Sequence, residues 1–199
     1  MKRLLLLPIP ALAAVTVTVS APAGSLTLYS PATTVVYGGS ATLSGGVSNQ
    51  LADEPVTLTA QAAGKSIQSV DATTTGAAGD YEFTVSPTVG TTYQAHWRTV
   101  DSRPVAIDVT PRVGFGRVGH TFVGKVTSDV SYARRFVWLQ RREASGWKSV
   151  RRVFLGANSR ATFAVTLPRG RTLLRLLLPA GQAGAGYVAG LSRTLAVSR

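Results

Sequence analysis

An ordered set of short segments recurs along this chain after roughly 80 residues, and a repeat of that length restricts the fold more than any other feature. Thr42-Leu43-Ser44-Gly45-Gly46-Val47 lines up with Thr121-Phe122-Val123-Gly124-Lys125-Val126, sharing an apolar residue, a gap, Gly, a gap and Val. Val56-Thr57-Leu58-Thr59 lines up with Val137-Trp138-Leu139-Gln140, and Tyr81-Glu82-Phe83-Thr84-Val85 with Ala161-Thr162-Phe163-Ala164-Val165. Pro87 and Pro168 follow, and Val105-Ala106-Ile107-Asp108-Val109 matches Thr194-Leu195-Ala196-Val197. Most segments alternate apolar and polar residues, the mark of a strand buried on one face. Turn-forming clusters separate them, among them Tyr37-Gly38-Gly39, Thr75-Gly76-Ala77-Ala78-Gly79-Asp80, Ser145-Gly146 and Gly156-Ala157-Asn158. Short strands at this spacing, about seven per unit, predict an all-β chain of two tandem antiparallel β-sandwiches. The boundary falls near Thr110-Pro111, giving domains at 24–110 and 111–199 joined by a short linker that limits hinge motion. No convincing helical period occurs after residue 23.

The first 23 residues read as a secretory signal peptide. Lys2-Arg3 is the positive start, Leu4 to Val19 the apolar stretch, and Ala21-Pro22-Ala23 a small-residue cleavage site that leaves Gly24 first. A cut after Ala13 is the alternative. Pro8 and Pro10 interrupt the stretch, which falls short of the ~20 residues of a membrane span. No span is expected after cleavage; Leu173 to Leu178 is apolar but contains Arg175 and ends at Pro179. The chain has no cysteine, which excludes disulfides, thiolate metal sites, a thiol nucleophile and a lipidated cysteine. No sorting signal with an apolar tail closes the sequence. The expectation is a secreted, extracellular protein, free or held non-covalently at the cell wall.

Tyr37 to Gly45, Pro55-Val56-Thr57-Leu58, Gly79-Asp80-Tyr81-Glu82-Phe83, Pro87 and Thr91-Thr92-Tyr93 together resemble the Ig-like repeats of secreted actinobacterial proteins. So do Val137 to Arg142, Gly146-Trp147 and Phe163 in the second unit. The resemblance covers most of residues 26–199. It implies Ig-like or fibronectin-like sandwiches acting as spacers, stalks or adhesive modules, with no particular ligand. Tyr93 is placed as a corner tyrosine whose hydroxyl ties down a crossover loop. The second unit has Thr172-Leu173-Leu174 there and must be tied otherwise.

Residues able to do chemistry are scarce. None of the nine acidic residues forms a calcium-loop pattern. Asp53-Glu54 reads as loop and Asp80 as turn. The second domain holds only two acids, too few to expect a glycosidase pair. His96 and His120 lie in different domains without metal-ligand spacing, and no nucleophile elbow or phosphate loop occurs. The chain therefore reads as non-enzymatic, without metal or cofactor.

Charge is the informative feature. Residues 24–110 hold three cations and seven carboxylates, a net of −4, whereas residues 111–199 hold sixteen cations and two carboxylates, a net of +14. All but two of those sixteen are arginine, whose planar fork suits phosphate and carboxylate oxygens. The candidate anion- or polysaccharide-binding residues are Arg134, Arg135, Trp138, Arg141, Arg142, Trp147, Lys148, Arg151 and Arg152, around strands expected at 136–142 and 147–154. If Val137 and Leu139 face the core, Trp138, Gln140 and Arg142 face the other way, where Trp138 could stack on a sugar ring. The expected partner is an anionic cell-wall polymer or polysaccharide, or another protein. A carbohydrate-binding module is the alternative, generic surface charge the bland one, and docking of the acidic unit on the basic one a third. Export argues against a physiological nucleic acid partner.

Overall fold

The computed structural model describes residues 24–198; the signal peptide expected at 1–23 lies outside them. Alternation is carried into strict one-sided burial. Tyr81, Phe83 and Val85 are buried while Asp80, Glu82 and Thr84 between them are exposed. In the same way Thr91, Tyr93, Ala95 and Trp97 point inward from one strand.

The first sandwich contains β1 (Thr34–Val36), β2 (Ala41–Gly46), β3 (Pro55–Ala62), β4 (Gln68–Thr74), β5 (Asp80–Val85), β6 (Thr91–Trp97), β7 (Val100–Asp101) and β8 (Val105–Thr110). One sheet runs β1-β8-β6-β3-β4, with β7 also paired to β6; the other is β2-β5. Bridges from Leu26 to Val47 and from Tyr29 to Ser44 add the leading segment to β2. That segment reaches Pro31, which cannot donate to a ladder, and the chain then crosses to the other sheet. There β1 pairs parallel to β8, Thr34 opposite Asp108. Leu43, Val56, Leu58, Ala95, Ile107 and Val109 fill the space between the sheets.

The second sandwich contains β9 (Arg112–Val118), β10 (Thr121–Thr127), β11 (Phe136–Glu143), β12 (Gly146–Phe154), β13 (Arg160–Phe163), β14 (Arg171–Leu178), β15 (Gly190–Leu191) and β16 (Leu195–Ser198). Its sheets are β13-β10-β9 and β12-β11-β14-β15, with β16 also on β14. Phe115, Phe122 and Phe163 stack in its core, with centroids 5.8 to 6.4 Å apart. One helical turn, α1 (Ala180–Ala183), interrupts the β pattern in the Gly-rich loop after β14. The two-sheet Greek-key plan, with a crossover strand in the first unit, makes both units Ig-like sandwiches.

Local devices repeat as faithfully as the strands. Each β3–β4 and β11–β12 hairpin carries one extra residue on its edge strand, Val70 and Val150, where the register shifts after Leu58 and Leu139. Each sandwich has the same turn before its next strand: Gly76 N donates to Asp80 O, and Gly156 N to Arg160 O. Each final strand breaks at a buried serine. Ala95 N donates to Ser102 Oγ at 3.0 Å, and Leu176 N to Ser192 Oγ at 2.8 Å. These features align the units residue by residue, with Ile107 matching Val197 opposite Thr91 and Thr172.

Tyr93 is not the crossover tie expected of it. Its hydroxyl is buried and meets the Thr91 side chain. The tie comes from Tyr81, whose hydroxyl donates to Thr27 O on the leading segment. In the second sandwich Tyr132 donates to Ala183 O at 2.9 Å, holding α1.

The sandwiches meet through the loop after β14. Gly90 N donates to Gly186 O at 2.8 Å, and Val188 N to Val109 O at 3.1 Å. The Tyr37 hydroxyl donates to Asp129 Oδ1 at 2.5 Å, and the Arg112 guanidinium to Tyr37 O. Backbone hydrogen bonds and side-chain contacts thus cross the joint together.

Candidate functional site

The outward face of the β12-β11-β14 sheet is built by alternation on three strands. Val137 and Leu139 are fully buried, which turns Phe136, Trp138, Gln140 and Arg142 outward on β11. Their partners on β12 are Phe154, Arg152, Ser149 and Trp147. On β14, Leu177 lies opposite Trp138 and Arg175 opposite Gln140, with Leu191 of β15 beyond Leu177. Trp138, Gln140 and Arg142 share the side expected of them, but Gln140 is buried there, bonded to Arg175 and Ser149.

Arginines and aromatic rings interleave across this face. The Arg152 guanidinium lies 4.8 Å from the Phe136 ring centroid and 5.1 Å from that of Trp138. Arg175 lies 4.1 Å over Trp147, with Arg142 at 5.9 Å from the same ring. Arg175 Nε also donates to Gln140 Oε1 at 2.8 Å, and Gln140 Nε2 donates to Ser149 Oγ. Stacking of this kind is worth about 0.5–1 kcal/mol per exposed pair and holds each guanidinium plane in place. It also occupies ring surface that a sugar would need. Phe154 is 63% exposed and Leu191 52%, so apolar groups flank the arginines.

No carboxylate pairs with Arg142, Arg152 or Arg175 among the described residues. Desolvation and the nearby Arg142 charge lower the pKa of Arg175. Glu143 turns to the other side, where Arg141 donates to it at 2.7 Å and Lys148 lies 3.9 Å away. Those contacts, the Arg141 hydrogen bond foremost, lower the Glu143 pKa against its desolvation.

The nine residues singled out by sequence therefore divide. Trp138, Arg142, Trp147 and Arg152 share the outward face. Arg141 and Lys148 lie behind it with Glu143. Arg151 reaches the sandwich edge, donating to Ala164 O at 3.1 Å and lying over Phe163. Arg135 is held inside the loops, donating to Gln182 O at 2.9 Å and stacked over Tyr132. Arg134 sits exposed in the turn before β11. Sequence reasoning missed Phe136, Phe154, Leu177 and Arg175 as members of the face. Arg175 was visible as the one charge in an apolar run, and the strand period would have turned it outward with Leu173 and Leu177.

The corresponding positions in the first sandwich carry different chemistry. Thr57 stands for Trp138, Thr59 for Gln140, Gln94 for Arg175, His96 for Leu177 and Ala72 for Arg152, as the paired registers require. His96 Nε2 lies 2.8 Å from Thr59 Oγ1 and Nδ1 2.5 Å from Asp101 Oδ1. At the end of that sandwich, Glu54 accepts hydrogen bonds from Trp97, Arg98 and Asn49. The Trp97 bond leads in holding the Glu54 pKa down, with Arg98 and Asn49 adding to it against desolvation. This cluster fastens loops together. Among the described residues no three His, Asp or Glu side chains could hold a metal ion, and no helix is long and apolar enough to cross a membrane. The cleft at the joint, about 420 Å³, is lined by Ala62, Gly90, Gly186, Tyr187 and neighbours, with Asp108 its one carboxylate.

No protein-family model and no curated protein matches the chain. Among solved structures it is similar to a tetra-tandem repeat from the extending region of a large adhesion protein, at 17% identity and a TM-score of 0.37, over 88% of this chain and 48% of that one. It is also similar to a marsupial T cell receptor, at 13% identity and a TM-score of 0.37, over 88% of this chain and 99% of that one. The chain thus spans about half the length of the adhesion-protein structure.

Proposed function

We propose that this is an exported, non-catalytic Ig-like binding or spacer protein of the cell exterior. In this reading residues 24–110 and 111–199 are separate folding units, and the second contacts an anionic polymer of the cell envelope. The observation that carries it is the charge division, −4 against +14, with arginines of the second sandwich left without carboxylate partners on an exposed sheet face. A fixed field of that sign concentrates polyanions and is weakened by salt. The first sandwich, polar on the equivalent face, serves as the spacer.

The test is co-sedimentation of residues 24–199 with purified cell walls across a salt series. Binding that falls steeply as salt rises supports the reading. Absence of binding at low salt overturns it, and binding indifferent to salt moves the recognition to uncharged sugar.

A further inference from the structure

We infer that the outward face of the β12-β11-β14 sheet seats an extended polyanion running along the strands, its charged groups taken by Arg152 at one end and by Arg175 with Arg142 at the other. This rests on the reading above that the second sandwich contacts an anionic polymer, and it names the face and the form of the ligand.

The first sandwich is an internal control. On the matching strands β3, β4 and β6 it has the same edge-strand bulge and the same serine break, yet carries Thr57, Thr59, Gln94 and His96 where the second has Trp138, Gln140, Arg175 and Leu177. The fold therefore does not require aromatic rings and arginines on this face. Spacing gives the ligand its form. Arg152 stands level with Trp138, Arg175 level with Gln140, and Arg142 two residues further along β11. Along the strands the three positions cover about 14 Å, and Arg152 and Arg175 stand on strands either side of β11, about 10 Å apart across the sheet. The Arg152 guanidinium lies at the Phe136 and Trp138 rings, whereas those of Arg175 and Arg142 share the Trp147 ring, so an extended polymer meets Arg152 at one end of the face and the Arg175–Arg142 pair at the other.

The arginines are already positioned. Arg152 lies over two rings, and Arg175 is held by Trp147 and through its Nε by Gln140, which leaves its terminal nitrogens for an oxyanion. Arg175 and Arg142 meet at one ring with no carboxylate partner among the described residues, and desolvation first, then the Arg142 charge, lowers the Arg175 pKa. A polyanion relieves the repulsion between them. A second copy docking through the same face would set arginine against arginine.

The shared chemistry is a repeated oxyanion, and two probes separate its sources: polygalacturonate for carboxylates and poly(glycerol phosphate) for phosphates, with dextran as the uncharged chain. Binding to residues 24–199 is measured at low salt by calorimetry. R152Q/R175Q is compared with K125Q/R160Q, which removes two cations that face each other on the opposite sheet. The inference expects the first variant to lose at least tenfold in affinity for one or both polyanions, and the second to stay within about twofold. It expects R152Q/R175Q also to lower the salt slope by about two, one per lost contact. Equal losses from both variants overturn the face while leaving the charge reading intact. No wild-type binding to either polyanion overturns the reading itself, and dextran binding equal to polygalacturonate overturns both. Arg142→Glu, a substitution at an exposed position, gives an independent check should R152Q/R175Q unfold; unchanged affinity in that variant also counts against the inference.

Discussion

Two serines show how much of this fold is specified by single polar atoms. Ser102 Oγ accepts from Ala95 N and donates to Arg103 O; Ser192 Oγ accepts from Leu176 N and donates to Arg193 O. Both hydroxyls stand in for a ladder that the break in the last strand removes. Ala95 and Leu176 are completely buried, so their N–H groups have no water to turn to. Ser192→Ala leaves one such donor unpaired, and we expect a loss of about 1–3 kcal/mol in denaturant unfolding. The shared Ser-Arg pair was present in the sequence, but two residues without periodicity are lost among the many serines and arginines. The charge clusters were easier to see. Which cations share a face was not, because Arg175 joins the others only through pairing across strands distant in sequence.

At the scale of the element, the two strands expected at 136–142 and 147–154 appear at 136–143 and 146–154, whereas β4, whose side chains are nearly all exposed, carries no alternation to read. What alternation cannot convey is how facing strands share volume. The glycine common to β2 and β10 leaves a gap that the two sandwiches fill from opposite directions. At Gly45 the Tyr81 ring enters from β5; at Gly124 the tip of Leu176 enters from β14. Correspondingly, Tyr81 gives way to Ala161 on one sheet while Ala95 gives way to Leu176 on the other. A Cβ at Gly45 would lie 1.9 Å from Thr27 O, which is backbone, whereas at Gly124 it would meet the movable Leu176 Cδ1 at 2.7 Å. Gly45→Ala is therefore expected to destabilise by several kcal/mol, and Gly124→Ala by about 1–3 kcal/mol, the usual range for overpacking. Thermal and denaturant unfolding of the two variants would show the order; equal effects would mean that both gaps adjust alike.

At the scale of the whole molecule, the short linker led to an expectation of limited hinge motion, but the loop that fills the joint was not legible. Gly90 and Gly186, or Tyr37 and Asp129, are too far apart in sequence for any local pattern to join them. The joint carries a pH signature. The Tyr37 hydrogen bond foremost, with Thr88, holds the Asp129 carboxyl below its ordinary value of 3.8. The same bond, with burial and the Asp129 charge, raises Tyr37 above 10.0. A depressed aspartate contributes fully above 3.8 and loses its contribution as pH falls through its lower value in the folded protein. A raised tyrosine contributes below 10.0 and loses its contribution as pH rises past its folded value. Small-angle scattering should show the joint constant between these limits and looser in strong acid. Asp129→Asn should remove that acid response without unfolding either sandwich. Gly186→Ala should loosen the joint at every pH, since a Cβ there would lie 2.4 Å from Val89 and 2.8 Å from Ala63.

The parallel pairing of β1 with β8 has a mechanical meaning. Stretching the chain draws these two strands in opposite directions, so bonds such as Asp108 N to Thr33 O and Tyr37 N to Thr110 O bear tension together and must shear at once. In the second sandwich β9 and β16 belong to different sheets, and no ladder joins them among the described residues. Pulled from its ends in a single-molecule force experiment, the protein should yield first in its arginine-rich half. The first sandwich would break second and at the higher force, behaving as the stiffer link of a two-link tether.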